Sequence, residues 1–279
     1  MSDLSAELLL ARAGGPRVAQ RVDEAVAAAV AAGPLPLVRF LGRYISWNSG
    51  FGSGVASLAA KIGRSRRLFF DPHEPITACA DRSVHVGSFF FDAARDEFDD
   101  RDTAHRDTHR TLAQAALKAT AAFYGLSAEE VNRSLAEPLW LTSLGARTQT
   151  GYGLGAPDDH ASVFRAMGFH LGSEILADTE FSNIDRHLRA LRPELVAHLQ
   201  ATRVHLAGQE HDAWFWIGVH SGHGNAVEAD HFAWAIEGVT EAFRFVPEHL
   251  RHGLTHELIG GFDQFAAIHQ EFFAQVLAD

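Results

Sequence analysis

Asp159 to Leu191 reads DHASVFRAMGFHLGSEILADTEFSNIDRHLRAL, one uninterrupted helical stretch closed by Arg192-Pro193. It decides the fold class, because the segments on either side repeat its pattern and alternating strand patterns are nearly absent. Downstream, Glu194 to Leu206 reads as a further helix, and Asp212 to Val219 is aromatic and apolar. Ser221-Gly222-His223-Gly224 then punctuates before two strong helices, Ala226 to Phe245 and Thr255 to Ala278. Upstream, Gly145 to Ala156 (GARTQTGYGLGA) reads as a loop. Ser127 with Glu130 forms a capping box for a short helix. Gly125 closes a helical region running from about Cys79 to Tyr124, with a break near Asp99. Asp71-Pro72 opens a polar linker. Asn48 to Gly54 (NSGFGSG) reads as a loop with no phosphate-binding pattern, and Val55 to Ile62 is short and apolar. Leu37 to Trp47 and Arg17 to Ala32 are helices, the second stopped by Gly33-Pro34. The expectation is an all-α chain of seven to nine helices in one domain spanning 1–279, without repeats or heptads.

Composition narrows the function classes. The 279 residues carry a formal charge of −11, which argues against a nucleic-acid sleeve or an anionic membrane surface. Apolar residues make up 47%, enough for a large core. The single cysteine, Cys79, excludes an internal disulfide and cysteine-based zinc or iron–sulfur sites. No apolar run reaches the roughly 18 residues of a membrane span, and Met1 to Gly15 lacks a basic leader, so a cytoplasmic address is expected. The 20 phenylalanines fall at helical spacing, as in Phe262, Phe265, Phe272 and Phe273, and read as core. The unusual feature is 17 histidines.

Three segments join those histidines to carboxylates on shared helix faces, since positions three, four and seven apart lie on one side. In DEFDDRDTAHRDTHRTL (96–112), Asp102, His105 and His109 point one way if the helix is continuous. Glu97 joins them only if the chain bends near Asp99-Asp100. In FHLGSEILADTEFSNI (169–184), Glu174 stands among Leu171, Ile175 and Leu176, a costly place for an unmet carboxylate. Asp178 stays open at the next turn, while Glu180 lies on another face, and its loss is expected to be close to neutral. In HSGHGNAVEADHFAWA (220–235), Glu228 and His231 stand three apart with His220 and His223 upstream. Oxygen and nitrogen donors without thiolates suit iron or manganese. Ser221 lacks the elbow of a hydrolase nucleophile, and His256-Glu257-Leu258 is not a zinc-protease motif because Gly260 replaces the second histidine.

These motifs, in order, resemble the heme-oxygenase-like diiron oxidases and oxygenases. DEF at 96–98 with His109-Arg110-Thr111-Leu112 is similar to that family's first ligand segment. GFHLGSE (168–174) is similar to its mid-chain glutamate helix, and EADHF (228–232) to its last ligand helix. The resemblance implies a bundle of about seven core helices, with N-terminal helices 1–75 packing on a metal-binding bundle 76–279. It implies Glu97, His109, Glu174, Glu228 and His231 as ligands of two Fe(II) ions per chain, with Glu174 and Glu228 as the catalytic bridging carboxylates. Asp102 is the alternative to Glu97. The family's remaining histidine falls on Gly224, so His223, with His220 in reserve, takes that place. The implied activity is O2-dependent oxidation of a small metabolite, first of all N-oxygenation of an amine or amino acid in a natural-product pathway. Oxidative C–C cleavage and desaturation are alternatives at the same site. An external electron donor and a homodimer are further expectations. Tyr152, Trp214, Trp216 and Arg147 are candidate substrate contacts. A rival reading keeps the scaffold without metal, as in thiaminase-II-like and PQQ-synthesis-like proteins. A third is a helical binding module without turnover. Heme oxygenase activity itself needs a single proximal histidine and gives paired carboxylates no role.

Overall fold

Apolar residues recurring every three to four positions set the helices, and short polar side chains or prolines start them. The computed structural model describes residues 5–100, 103, 107–221 and 227–278, without the side chains of Asp178 and of residues 227–230. The first half holds α1 (Ala6–Arg12), α2 (Pro16–Ala31), α3 (Pro34–Asn48), α4 (Phe51–Arg64), α5 (Ser83–Phe98) and α6 (His109–Phe123). Next come α7 (Ala128–Ser134), α8 (Leu139–Gly151), α9 (His160–Leu191) and α10 (Pro193–Ala201). A hairpin of β1 (Arg203–Leu206) and β2 (Gln209–Asp212) follows, then α11 (Phe215–His220), α12 (Val227–Arg244) and α13 (Arg251–Gln275). Prolines begin α2, α3 and α10, where a missing N–H costs nothing. Asp159 caps α9 through Ser162 N, Thr108 caps α6 through Thr111 N, and the Ser127–Glu130 capping box is present on α7.

Helix α9 is the axis of the bundle. Its broadest contact is with α13, and α12, α2, α4 and α11 pack around it. The α9–α13 approach depends on paired glycines. A Cβ on Gly168 would stand 1.7 Å from the Leu258 carbonyl oxygen, and one on Gly261 1.8 Å from that of Arg165. A single apolar cluster runs from Leu9 to Val276 and contains Phe262, Phe265, Phe272 and Phe273, all buried as expected. Each such ring contributes roughly 1.5–3 kcal/mol on burial. Among the described residues no helix is long and apolar enough to cross a membrane.

Several local expectations are corrected. Asn48 to Gly54 is not a loop: α4 begins at Phe51 and its glycines are packing positions. A Cβ on Gly52 would meet Glu97 Cβ at 2.8 Å, and one on Gly54 would meet the Tyr152 ring at 2.2 Å, so close approach outweighs glycine's poor helix propensity. Most of Gly145 to Ala156 lies in α8, whose C-terminal turn ends at Gly151. The helix expected to reach Leu206 stops at Ala201 and gives way to the hairpin. Finally, α5 and α6 are separate helices. Asp99 leaves helical geometry (φ −158°, ψ 75°), so no helix runs on from Glu97 to His109, and Asp102 and His105 lie outside the described residues.

Candidate functional site

The break after α5 positions the first polar cluster. Asp96 and Glu97 end α5, and His109 opens α6. The connection is pinned where Asp100 N–H donates to the Asp107 carbonyl at 2.9 Å, while Asp107 Oδ1 lies 2.8 Å from His211 Nδ1 on β2. The hairpin also packs on α6, the helix that His109 opens. His109 Nε2 donates to Asp100 Oδ2 at 2.9 Å, and its Nδ1 lies 3.2 Å from Glu97 Oε1. The bend that Glu97 needs to approach His109 is therefore present.

The second cluster sits on α9 and α12. Glu174 is flanked by His170, one turn earlier, with Nδ1 3.2 Å from Oε1, and by His231, with Nδ1 3.3 Å from Oε2. His231 Nε2 donates to Asp96 Oδ2 at 3.1 Å. His109 and His231 therefore share one arrangement. Each gives its Nε2 hydrogen to a buried aspartate and turns Nδ1 toward a glutamate, so loss of the Nδ1 proton would free that nitrogen's lone pair. His220 on α11 is oriented the other way round. Its Nδ1 donates to the Trp216 carbonyl at 2.7 Å, which leaves the lone pair on Nε2. Its ring stacks on Phe181 and stands edge-on to His109, with centroids 4.4 and 4.6 Å apart.

Burial and charge work against each other here. Burial disfavours the charge on His109, but Glu97 and Asp100 outweigh it and raise its pKa to about 10. Burial also pushes Glu97 and Glu174 up. The charge of His109 in the first case, and of His170 and His231 in the second, brings both below the ordinary glutamate value. Burial, then the neighbouring His109 charge, drives His220 down to about 3, so it is neutral. Burial lowers His170 as well, and its Nε2 has no hydrogen-bond partner.

Glu97, His109, Glu174 and His220 line one cavity of about 250 Å³. Ile45, Phe51, Ala113, Phe181 and Trp216 form its apolar wall, while exposed Ser53, Phe98 and Arg110 mark its mouth. Of the anticipated substrate contacts, Trp216 lines this cavity. Tyr152, Trp214 and Arg147 do not, and Arg147 instead pairs with Glu271 at 2.6 Å. Asp102 and His223 lie outside the described residues, as do the side chains of Glu228 and Asp178. His170, Asp96 and Asp100 were given no place in the site by the sequence reading, although Asp96 stands in the DEF motif and Asp100 at the expected bend. The four-residue spacing of His170 and Glu174 was the available signal for the first.

A second carboxylate–histidine cluster lies one and a half turns further along α9. Glu180 is not on a solvated face: it is 1% exposed. It accepts from the Tyr44 hydroxyl on α3, and its Oε1 stands 2.8 Å from His269 Nε2 on α13, a close contact outside hydrogen-bond angles.

Two ligands at right angles, each about 2.1 Å from one ion, stand about 3 Å apart. The Nδ1···Oε separations at His109–Glu97 and His231–Glu174 have that size. Nitrogen and oxygen donors with aspartate-held imidazoles fit iron or manganese in kind. Among the described residues these donors form pairs, and no three of them converge on a single ion position.

No protein-family model matches the chain, and no curated protein matches it. A solved structure of a TenA homologue from Pseudomonas syringae pv. tomato is similar in fold. The TM-score is 0.53 over 98% of this chain and 96% of that one, at 12% identity. Identity that low speaks for the fold alone: the chain has the all-α, heme-oxygenase-like helical bundle.

Proposed function

We propose that the chain is a non-heme diiron oxygenase or oxidase of a small metabolite, with N-oxygenation of an amine or amino acid as the leading reaction. The observation that supports this is the repeated aspartate–histidine–glutamate arrangement, Asp100–His109–Glu97 and Asp96–His231–Glu174, with both glutamates at one cavity. Structural buried histidines need one satisfied partner each. Two rings held alike, each backed by an aspartate on Nε2 and turning Nδ1 toward a cavity glutamate, suit a cation that takes the place of the Nδ1 proton.

In this reading Glu97, His109, Glu174 and His231 hold iron, with Glu228 and either His223 or His220 completing the set. When bound, the iron supplies O2 activation and one-electron chemistry that amino-acid side chains lack. Asp96 and Asp100 keep the imidazoles in one tautomer and one orientation. His170 orients Glu174 from the other side. Phe181, Trp216 and Ile45 exclude water from the inner end of the cavity and confine the substrate there. The Trp216 carbonyl sets His220 with Nε2 as its basic nitrogen.

A metal-free ligand pocket on the same scaffold is the second reading, favoured by the TenA-like fold and by the absence of a converged ion position among the described residues. Anaerobic ferrous titration followed by O2 exposure, watched by optical absorption and Mössbauer spectroscopy, separates the two. Uptake of about two irons per chain with O2 consumption is expected. No iron uptake leaves the metal-free pocket.

A further inference from the structure

The polar groups of the cavity wall are unequally committed. Ser49 and Ser53 give their hydroxyl hydrogens to the carbonyls of Ser46 and Gly50. Thr108 is occupied as the cap of α6, and Ser173 donates to the His170 carbonyl. Glu97, His109, Glu174 and His220 are engaged as described. Among the described residues, the Arg110 guanidinium and the Asn48 carboxamide have no protein hydrogen-bond partner. Both donate hydrogen bonds. Arg110 is exposed and marks the mouth of the cavity, while Asn48, Glu97 and Glu174 are each half-buried along its wall.

We propose that Arg110 and Asn48 form an anion clamp at the cavity mouth, so that the ligand is a small carboxylic acid held by its carboxylate with its other end directed inward. This rests on the cavity being the substrate site proposed above. The guanidinium fork matches a carboxylate with two parallel hydrogen bonds, and the Asn48 amide supplies a third donor. In the metal-free protein Glu97 and Glu174 repel a second carboxylate, which directs the anion outward and the amine or alkyl end to the histidines. The volume, about 250 Å³, lies below the roughly 300–1,000 Å³ of drug-sized sites and suits a short chain. The apolar wall of Ile45, Phe181 and Trp216 accommodates its methylenes. Arg110 and Asn48 are thus specificity-determining residues that touch the end of the substrate remote from the chemistry.

The test uses the full chain stripped of metal with a chelator and calorimetric titration of three probes: hexanoate, 6-aminohexanoate and the neutral isostere hexanamide. Both acids are expected to bind about tenfold more tightly than the amide, the size of a charge-assisted pair at a partly solvated mouth. Arg110→Ala should erase that preference without changing hexanamide affinity, Asn48→Ala should reduce it, and Arg110→Lys should retain part of it. Arg110 is exposed, so the variants should keep the parent melting temperature. Equal affinity for acid and amide, a preference that survives Arg110→Ala, or no binding of either acid overturns the clamp. Because no metal is present, a failed iron titration leaves this result standing, and a failed clamp leaves the iron stoichiometry unaffected.

Discussion

Glu174 and Glu180 stand six residues apart on α9, and both meet histidines, yet they sit in opposite surroundings. Glu174 faces His170 and His231 at the edge of a cavity of about 250 Å³. Glu180 is sealed with Tyr44 and His269 inside aromatic packing, where Trp47, Phe265 and Phe273 surround the imidazole. The void that His269 lines is about 30 Å³, the space of one water. Access, rather than residue type, separates a cluster suited to chemistry from one suited to holding three helices in register. A buried carboxylate–imidazole pair reached by nothing reads as structural, while the same pair on a cavity wall has room for a cation and a substrate.

The comparison breaks most sharply at Glu174 and His231. Glu174→Ala and His231→Ala are each expected to abolish iron-dependent O2 consumption while circular dichroism keeps its helical content. Full activity in both variants would move the site elsewhere. The supporting aspartates come next: Asp96→Asn and Asp100→Asn should weaken iron binding by about 10–100-fold, as loss of a hydrogen bond behind a ligand does. Equilibrium iron titration measures it, and unchanged affinity would reduce these aspartates to ordinary partners. Glu180→Ala should do the reverse, leaving iron stoichiometry at the parental value but lowering stability by about 3 kcal/mol, because Tyr44 and His269 lose a buried partner. Urea denaturation reads this, and parental stability with lost iron would erase the distinction between the clusters.

The smallest effect belongs to a charge cluster outside both. Asp158 is hydrogen-bonded by Arg64 and Lys61, and these partners lower its pKa from 3.8 to about 2. A carboxylate lowered on folding adds stability above its unfolded pKa and loses it as pH falls through the folded one. The contribution should therefore fade between pH 4 and pH 2 and be absent from Asp158→Asn. Acid unfolding of the two proteins measures the difference.

Much of this was legible from residue spacing. The long α9, the Ser127–Glu130 cap and the aromatic core of α13 follow from local rules. Glu174 is recognisable as a carboxylate in an apolar stripe, and it is indeed met by two histidines. Other features had no local signal. The hairpin turn places Ala207 at φ 51° before Gly208 at 85°, without the usual Asn-Gly or Asp-Gly pair. The glycines of α4 resemble loop residues because their purpose, contact with Glu97 and Tyr152, lies on other helices. Glu180 seemed dispensable because helical periodicity reports a face, not what covers it.

By itself, then, the sequence determined the helices, their caps and the residue types available for chemistry, since these depend on neighbours within about four positions. It also excluded thiolate metal sites outright, having a single cysteine. Only the tertiary structure decided which carboxylates meet which histidines. That choice depends on the bend after Asp99, on close helix approach at Gly52 and Gly168, and on which wall of α9 faces a void. Such contacts join residues as far apart as Asp96 and His231, a separation that no local pattern encodes.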